Sequence, residues 1–529
     1  MTTPVSTANR QIARAAGIVM LGFVLSNIIG LIRQNLISRV FGTGAEINAF
    51  TVAQSLPGIL YSLIAGGALA SAFIPTFASL LENDDRSGAW RLASSIINLA
   101  VLLLSLASLV TALLAPAIVR TIIAPDFSPP QQALTAALLQ IMLISTVIFA
   151  ASGLLMGILN THQKFVLAAL APSMYWLGWI LGVIFFVPSM GIFGLAWGMV
   201  LGAGLHLGIQ LPGLFRLKGR YFPTLGLRFP AVREVGRLMA PRLLGVGIVQ
   251  LNALVNTILA ASMPEGSAIA IATAWMVVTM PEIAIAQAIA IAALPTFSAQ
   301  VARGELSQMR SSLAATLRGV ILLSLPASLG LILLRKPVVA LLFQYGRFDA
   351  HSTDLVAWAL LWYAAGLVGH SVVEILSRAF YSLHDTKTPV LVGSIAMSLN
   401  VIFSLSFSAI FSSLGWAPHG GLALANSLAT FLEMGGLLYL MNRRLDGLEG
   451  RRILAGAVQA AVASLFMATC IWAWLLKTNN RPAWLVGLGG IGIGGVLFAV
   501  VVFILGVPEA RALYHSLKRR LMPGHPDQL

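Results

Sequence analysis

The chain has 529 residues, 58% of them hydrophobic and only 10% charged. A soluble domain carries about a quarter charged residues to keep its surface in water, so this composition excludes a water-solvated globule and calls for lipid around most of the exterior. The formal net charge of +15 would suggest nucleic acid in a soluble protein. Here the basic residues lie mostly between apolar segments, where they set membrane orientation, and no nucleic-acid partner is expected.

A hydrocarbon core about 30 Å thick takes about 20 apolar residues in helix. Windows of that size recur about fourteen times, near 15–32, 47–80, 92–118, 134–159, 165–187, 192–215 and 238–261, then near 268–297, 313–334, 355–381, 390–411, 421–441, 453–476 and 483–505. The first run continues to Ile32 without a small-residue cleavage site, so it reads as a span and not as a signal peptide. With the N-terminus inside, the inner loops collect Arg10, Arg14, Arg86, Arg91, Lys164, the six basic residues of 216–237, Arg303, Arg310, Arg378, Lys387, Arg443, Arg444, Arg451, Arg452 and the basic residues of 511–520. That bias predicts a multi-pass protein of the bacterial cytoplasmic membrane with both termini cytoplasmic. Residues 216–237 fit either an amphipathic helix on anionic lipid or a topology-setting basic loop.

The two halves repeat each other at an offset near 220 residues. Phe73-Ile74-Pro75-Thr76-Phe77 returns as Ala293-Leu294-Pro295-Thr296-Phe297, Leu21-Gly22 as Leu244-Gly245, and Pro125-Asp126-Phe127 as Gly346-Arg347-Phe348. The hairpin from Asn160 to Lys164 matches that from Ser382 to Lys387. Six intervening helices, an even number, keep both halves in one orientation, which is a parallel repeat with its axis along the membrane normal. The expectation is an all-α fold: an N-terminal six-helix lobe (1–220), a C-terminal six-helix lobe (221–445), and two further helices with a tail (446–529).

Ionisable groups at membrane depth are costly and face a cavity or a partner. Arg33, Arg242 and Glu282, with Asn27, Gln34, Asn48, Gln250 and Asn256, are the candidate lining of a substrate cavity between the lobes. Arg39 and Glu374 are equally well placed to snorkel to an interface, and the amides to bridge helices. Pro57, Pro75, Pro281 and Pro295 are expected to break helices, whereas Gly66, Gly67, Gly191 and Gly194 read as close-packing or bending sites. Cys470 is alone, the histidines His162, His206, His370 and His384 lack metal-ligand spacing, and no phosphate-binding loop occurs. No enzyme activity, metal or cofactor is therefore expected.

The stretch from Arg33 to Gly42 (RQNLISRVFG), the loop Leu342–Phe348 (LFQYGRF) and the hairpin Phe380–Val390 (FYSLHDTKTPV) resemble the MurJ/MviN family of lipid II flippases, as do Gly157–Thr161 and Ala171–Ser173. The resemblance implies a monomeric member of the multidrug/oligosaccharidyl-lipid/polysaccharide exporter superfamily. Such a protein moves lipid II, the undecaprenyl-pyrophosphate peptidoglycan precursor, by alternating access, with membrane lipids and cell-wall synthesis enzymes as partners. It also implies a cationic cavity, and of the family's arginines only Arg33 is matched. Asn27, Tyr61, Ser62 and Met276 stand where the family carries others, and Asn48 where it commonly has aspartate. An exporter of another lipid-linked oligosaccharide or amphipathic small molecule is the alternative, and a non-transporting membrane scaffold the third reading.

Overall fold

The computed structural model describes the backbone of residues 4–64, 67–478 and 481–507, with side chains except those of 4–21, 23, 64, 67–71, 240–242 and 244. The side chains of Arg10, Arg14, Arg242 and Leu244, together with Gly66 and the basic tail 511–520, lie outside the described residues. The chain forms two compact units, residues 1–269 with 345–348, and residues 270–344 with 349–529.

The first unit contains α1 (Pro4–Phe41), α2 (Ala45–Ile64), α3 (Gly67–Glu82), α4 (Arg86–Ile118), α5 (Pro129–Thr161), α6 (Phe165–Leu181), α7 (Val187–Met190), α8 (Ile192–Gly208), α9 (Leu211–Arg216) and α10 (Pro230–Ala261). At the boundary α11 (Ser267–Glu282) begins. The second unit continues with α12 (Ala288–Ala302), α13 (Leu306–Phe343), α14 (Ala350–Ala365), α15 (Leu367–Ser382), α16 (Lys387–Ser413), α17 (His419–Arg444), α18 (Gly450–Lys477) and α19 (Ala483–Ile504). Among the described residues no strand occurs. Helix is the form in which a chain in lipid satisfies every backbone group within its own segment. Ten helices among the described residues are long and apolar enough to cross a membrane, eleven with the bent pair α14–α15 counted as one span.

Each unit has its own core. In the first, Phe73 and Phe77 of α3 stack at 5.2 Å and close on Trp90, Leu92 and Leu104 of α4 and Leu154 and Ile158 of α5. In the second, Phe297 of α12 is buried against Leu313 and Leu317 of α13 and Ile375 and Phe380 of α15. The outward faces are apolar as well: Leu113 is 72% and Ile504 75% exposed. In water such faces would drive aggregation, and in hydrocarbon they are the solvated surface.

Pro57, Pro75 and Pro295 do not break their helices, contrary to expectation; they sit inside α2, α3 and α12. Helix–helix packing in a membrane lets neighbouring groups take up what a proline leaves unbonded. Pro281 stands just before a π-turn at Ile283–Gln287, and Pro116 just before another at Val119–Ile123; the Ala112 carbonyl that Pro116 leaves without its helical donor accepts from Gln140 Nε2 at 2.9 Å. The single apolar window 47–80 is two helices, α2 and α3. A 46° bend at Gly366 separates α14 from α15. The carbonyls freed there are capped from outside the helix: Ser427 Oγ donates to Trp362 O at 2.6 Å and Ser328 Oγ to Ala364 O at 2.7 Å. A Cβ at Gly366 would lie 2.4 Å from that same Ser427 hydroxyl oxygen, so glycine keeps the bend and its cap compatible.

Residues 217–229 form no amphipathic helix; they are an irregular basic strap laid over α4. Asn98 Nδ2 donates to Thr224 O at 2.9 Å, Phe222 N to Ser94 Oγ at 3.1 Å, and Arg86 Nη2 to Leu217 O at 2.6 Å. Pro223, and Gly226 at φ +59°, are incompatible with a continuous helix.

Three acidic residues open helices. Asp85, Asp349 and Asp385 accept the backbone N–H of Gly88, Ser352 and Thr388 at 2.7, 2.8 and 3.0 Å. Asp385 also takes the Thr388 hydroxyl at 2.8 Å, and Pro389 fills the first turn, where no N–H is needed. The family-like DTKTP hairpin is thus a helix cap in structural terms. The Thr388 N–H bond holds the Asp385 carboxyl below the usual range. Asp385→Ala is expected to cost about 1 kcal/mol, read as a lowered melting temperature in detergent. Because the folded-state value is depressed, this contribution is present above the ordinary carboxylate range and is lost as pH falls through the lowered value. The gap between wild type and variant should therefore close in strong acid.

Candidate functional site

The first unit gathers its polar and aromatic groups on the faces of α1, α2, α5, α6 and α8. Arg33, two turns from the end of α1, lies over the Trp176 ring of α6, 4.2 Å from its centroid, and 4.9 Å from that of Trp179. Positions 176 and 179 share one helix face, so the two indoles flank the guanidinium. Nη2 donates to Gln34 Oε1 at 3.2 Å, whereas Nε is buried with no hydrogen-bond partner. No ion pair engages Arg33 among the described residues. Cation–π contact with a desolvated indole contributes about 2 kcal/mol, which holds the cation in place while leaving donor edges unspent.

From this pair an aromatic chain runs into the unit. Tyr175 meets Trp176 at 4.8 Å, Phe149 of α5 meets Tyr175 at 4.9 Å, and Tyr61 of α2 meets Phe149 at 5.0 Å. These rings border a cavity of about 230 Å³ whose polar lining includes Gln54, Thr146 and His206. Behind it is a buried network: Gln210 Nε2 donates to Ser152 Oγ at 2.8 Å, and Ser152 Oγ is in short hydrogen-bond contact with His206 Nδ1. His206 Nδ1 is thus engaged by Ser152, and the His206 ring itself lines the cavity.

The residues expected to line a substrate cavity stand on α1, α2, α10 and α11. Arg33 and Gln34 are together. Asn27 is exposed on α1. Asn48 is buried, and its Oδ1 accepts the backbone N–H of Ala268 at 3.2 Å, which makes it a tether for the start of α11. Asn256 of α10 donates to Asn252 O at 3.0 Å, and Gln250 is half-buried on the same helix. Arg242 is also on α10, and its side chain is outside the described residues. Glu282 belongs to the second unit, within electrostatic reach of Glu374, whose carboxylate pairs with Arg378 at 2.7 Å. Sequence reasoning missed Trp176, Trp179, Tyr175, Phe149, Thr146 and the role of His206. The signal for the first three was present: three large aromatics within five residues of one span, next to the Ala171-Pro172-Ser173 motif.

Helices of this number, length and apolarity define a polytopic integral membrane protein. The family model described as lipid II flippase MurJ matches residues 37–489, and the chain belongs to that family. It is 31% identical over 427 residues to a protein of Burkholderia cenocepacia named lipid II flippase MurJ, covering 78% of this chain and 81% of that one. A Vibrio cholerae protein named probable lipid II flippase MurJ is 27% identical over 520 residues, covering 95% and 97%. Among solved structures, a lipid II flippase MurJ in an inward closed conformation shares the fold at a TM-score of 0.79 with 23% identity, covering 92% of this chain and 98% of that one.

Proposed function

We propose that this protein moves lipid II across the bacterial cytoplasmic membrane by exposing its binding site alternately to the two sides. The observation that carries the reading is Arg33, a cation 4.2 and 4.9 Å from the centroids of two indoles, with a buried Nε that has no hydrogen-bond partner among the described residues. A pyrophosphate entering a site at membrane depth loses its water and needs planar, multidentate donors in return. Contact with the indoles spends none of the guanidinium N–H groups as hydrogen bonds, so those not given to Gln34 can serve oxygen acceptors. The polyprenyl tail needs no such site, since hydrocarbon already solvates it. Both termini are placed in the cytoplasm by the basic loops, and the chain acts as a monomer whose two repeated lobes, 1–220 and 221–445, carry the movement. With no phosphate-binding loop in the sequence, the driving force is an ion gradient, the membrane potential or the gradient of the lipid itself. The protein is expected to sustain growth of cells depleted of their own lipid II flippase, with labelled lipid II reaching the outer leaflet; accumulation of lipid II inside despite full expression would reject the reading.

A second cargo class is favoured by one feature. Tyr61, Ser62 and Met276 occupy positions where the resemblance puts arginines, so the site is less cationic than the resemblance implies and suits a lipid-linked oligosaccharide of lower phosphate charge. Native mass spectrometry with lipid II and another undecaprenyl-linked sugar in competition separates the two.

A further inference from the structure

We infer that the cavity inside the first unit is a subsite for one neutral sugar ring of the lipid-linked cargo, an inference that rests on the flippase reading for its cargo but on the cavity for its chemistry. Its volume is about 230 Å³, below the roughly 300–1,000 Å³ of sites for drug-sized ligands, so it admits a single ring and not a whole head group. No Asp, Glu, Lys or Arg lines it. A free anion finds no charged donor in the lining, and an organic cation finds no carboxylate. An acyl chain is mismatched as well, because Gln54, Thr146 and His206 would be buried against hydrocarbon.

A pyranose meets both halves of the lining. Its C–H face, electropositive at the hydrogens, suits the negative face of an aromatic ring, and Phe149, Tyr175 and Trp176 supply such rings in the lining. Its hydroxyls and amide suit the imidazole of His206 and the hydroxyl of Thr146. Thr146 is 1% exposed and its Oγ1 has no partner, an acceptor and donor kept in apolar surroundings with nothing to satisfy it. Such a group costs stability when unpaired, and a ligand's polar atom would recover that cost.

Two substitutions test this without endangering the fold. Thr146→Val removes the orphan hydroxyl at constant shape, which is neutral or stabilising for folding. Gly58→Leu grows into the cavity from α2: a Cβ there meets no atom within 4 Å, and leucine is the better helix former. Full-length wild type and variants are offered lipid II and sugar-free undecaprenyl pyrophosphate in native mass spectrometry. Wild type should prefer lipid II; Thr146→Val should reduce that preference by about fivefold, the worth of one hydrogen bond, and Gly58→Leu should abolish it. Affinity for the sugar-free lipid should be unchanged in both. An unchanged preference in both variants, or equal loss for both lipids, would overturn the inference. A parallel titration with the neutral disaccharide of N-acetylglucosamine, read by tryptophan fluorescence, keeps the two readings apart. Quenching by wild type that Gly58→Leu loses upholds the sugar site even if neither lipid binds, and no quenching by wild type overturns it.

Discussion

Arg33→Ala is expected to abolish rescue of flippase-depleted cells and to lower lipid II affinity by about 10–100-fold, the loss of one charge-assisted hydrogen bond of about 1.5–3 kcal/mol. The protein itself should survive the change. Arg33 makes no ion pair among the described residues, so no carboxylate is orphaned, and its one side-chain partner is the adjacent Gln34. What folding loses is the stacking on Trp176 and Trp179, about 0.5–2 kcal/mol. Arg33→Lys separates charge from geometry. An ammonium keeps the charge but cannot lie flat on an indole while presenting a planar edge, so lysine should restore folding stability more than binding. Binding of sugar-free undecaprenyl pyrophosphate should fall in parallel with that of lipid II, because the arginine addresses phosphate. Wild-type affinity in Arg33→Ala for both lipids would remove Arg33 from the site.

The sequence made the architecture legible where physics acts locally. Apolar windows of bilayer length are set by composition alone, which is why most helices fall where hydropathy puts them, although among the described residues ten or eleven, against the fourteen expected, are long and apolar enough to span. Caps were equally local: Asp385 and Thr388 are three residues apart. The site was legible only in part, for a different reason. Arg33 stands out as a charge among apolar residues, but its stacking partners arrive on α6, some 140 residues later. Asn48 looked like a cavity residue because a polar side chain at membrane depth needs a partner. Its partner is a backbone N–H at residue 268, and nothing in the spacing of side chains announces a main-chain donor 220 residues away. Proline was misread because side chains of neighbouring helices can take up the carbonyl a proline leaves unbonded, as Gln140 does for Ala112.

Glycine spacing on α6 and α8 carried more than was read from it, and it supports the largest stability effect expected in this protein. Gly178 and Gly182 on one helix, with Gly194, Gly198 and Gly202 on the other, recur every four residues, the small-residue stripe that lets two helices touch backbone to backbone. A Cβ on Gly178 would lie 2.1 Å from Gly202 Cα, one on Gly182 2.5 Å from Gly198 Cα, and one on Gly194 2.4 Å from the Phe186 carbonyl carbon. None of these is the end of a flexible side chain, so relief requires the helices to separate. Gly178→Ala and Gly182→Ala should each cost about 3 kcal/mol or more, the upper end for overpacking, seen as a sharply lower melting temperature or loss of folded protein from the membrane. Gly204→Ala is the internal control. It lies on α8, a Cβ there meets nothing within 4 Å, and the usual helix preference should stabilise it by about 0.5–1 kcal/mol. The same separation would pull Tyr175, Trp176 and Trp179 away from Arg33, since all three rings stand on α6 beside the stripe. Gly198→Ala, whose Cβ would lie 2.8 Å from Gly182 Cα, meets this contact less closely than Gly182→Ala and should weaken lipid binding in the fraction that still folds; a folded Gly178→Ala protein with unchanged melting temperature would show that α6 and α8 are not in backbone contact.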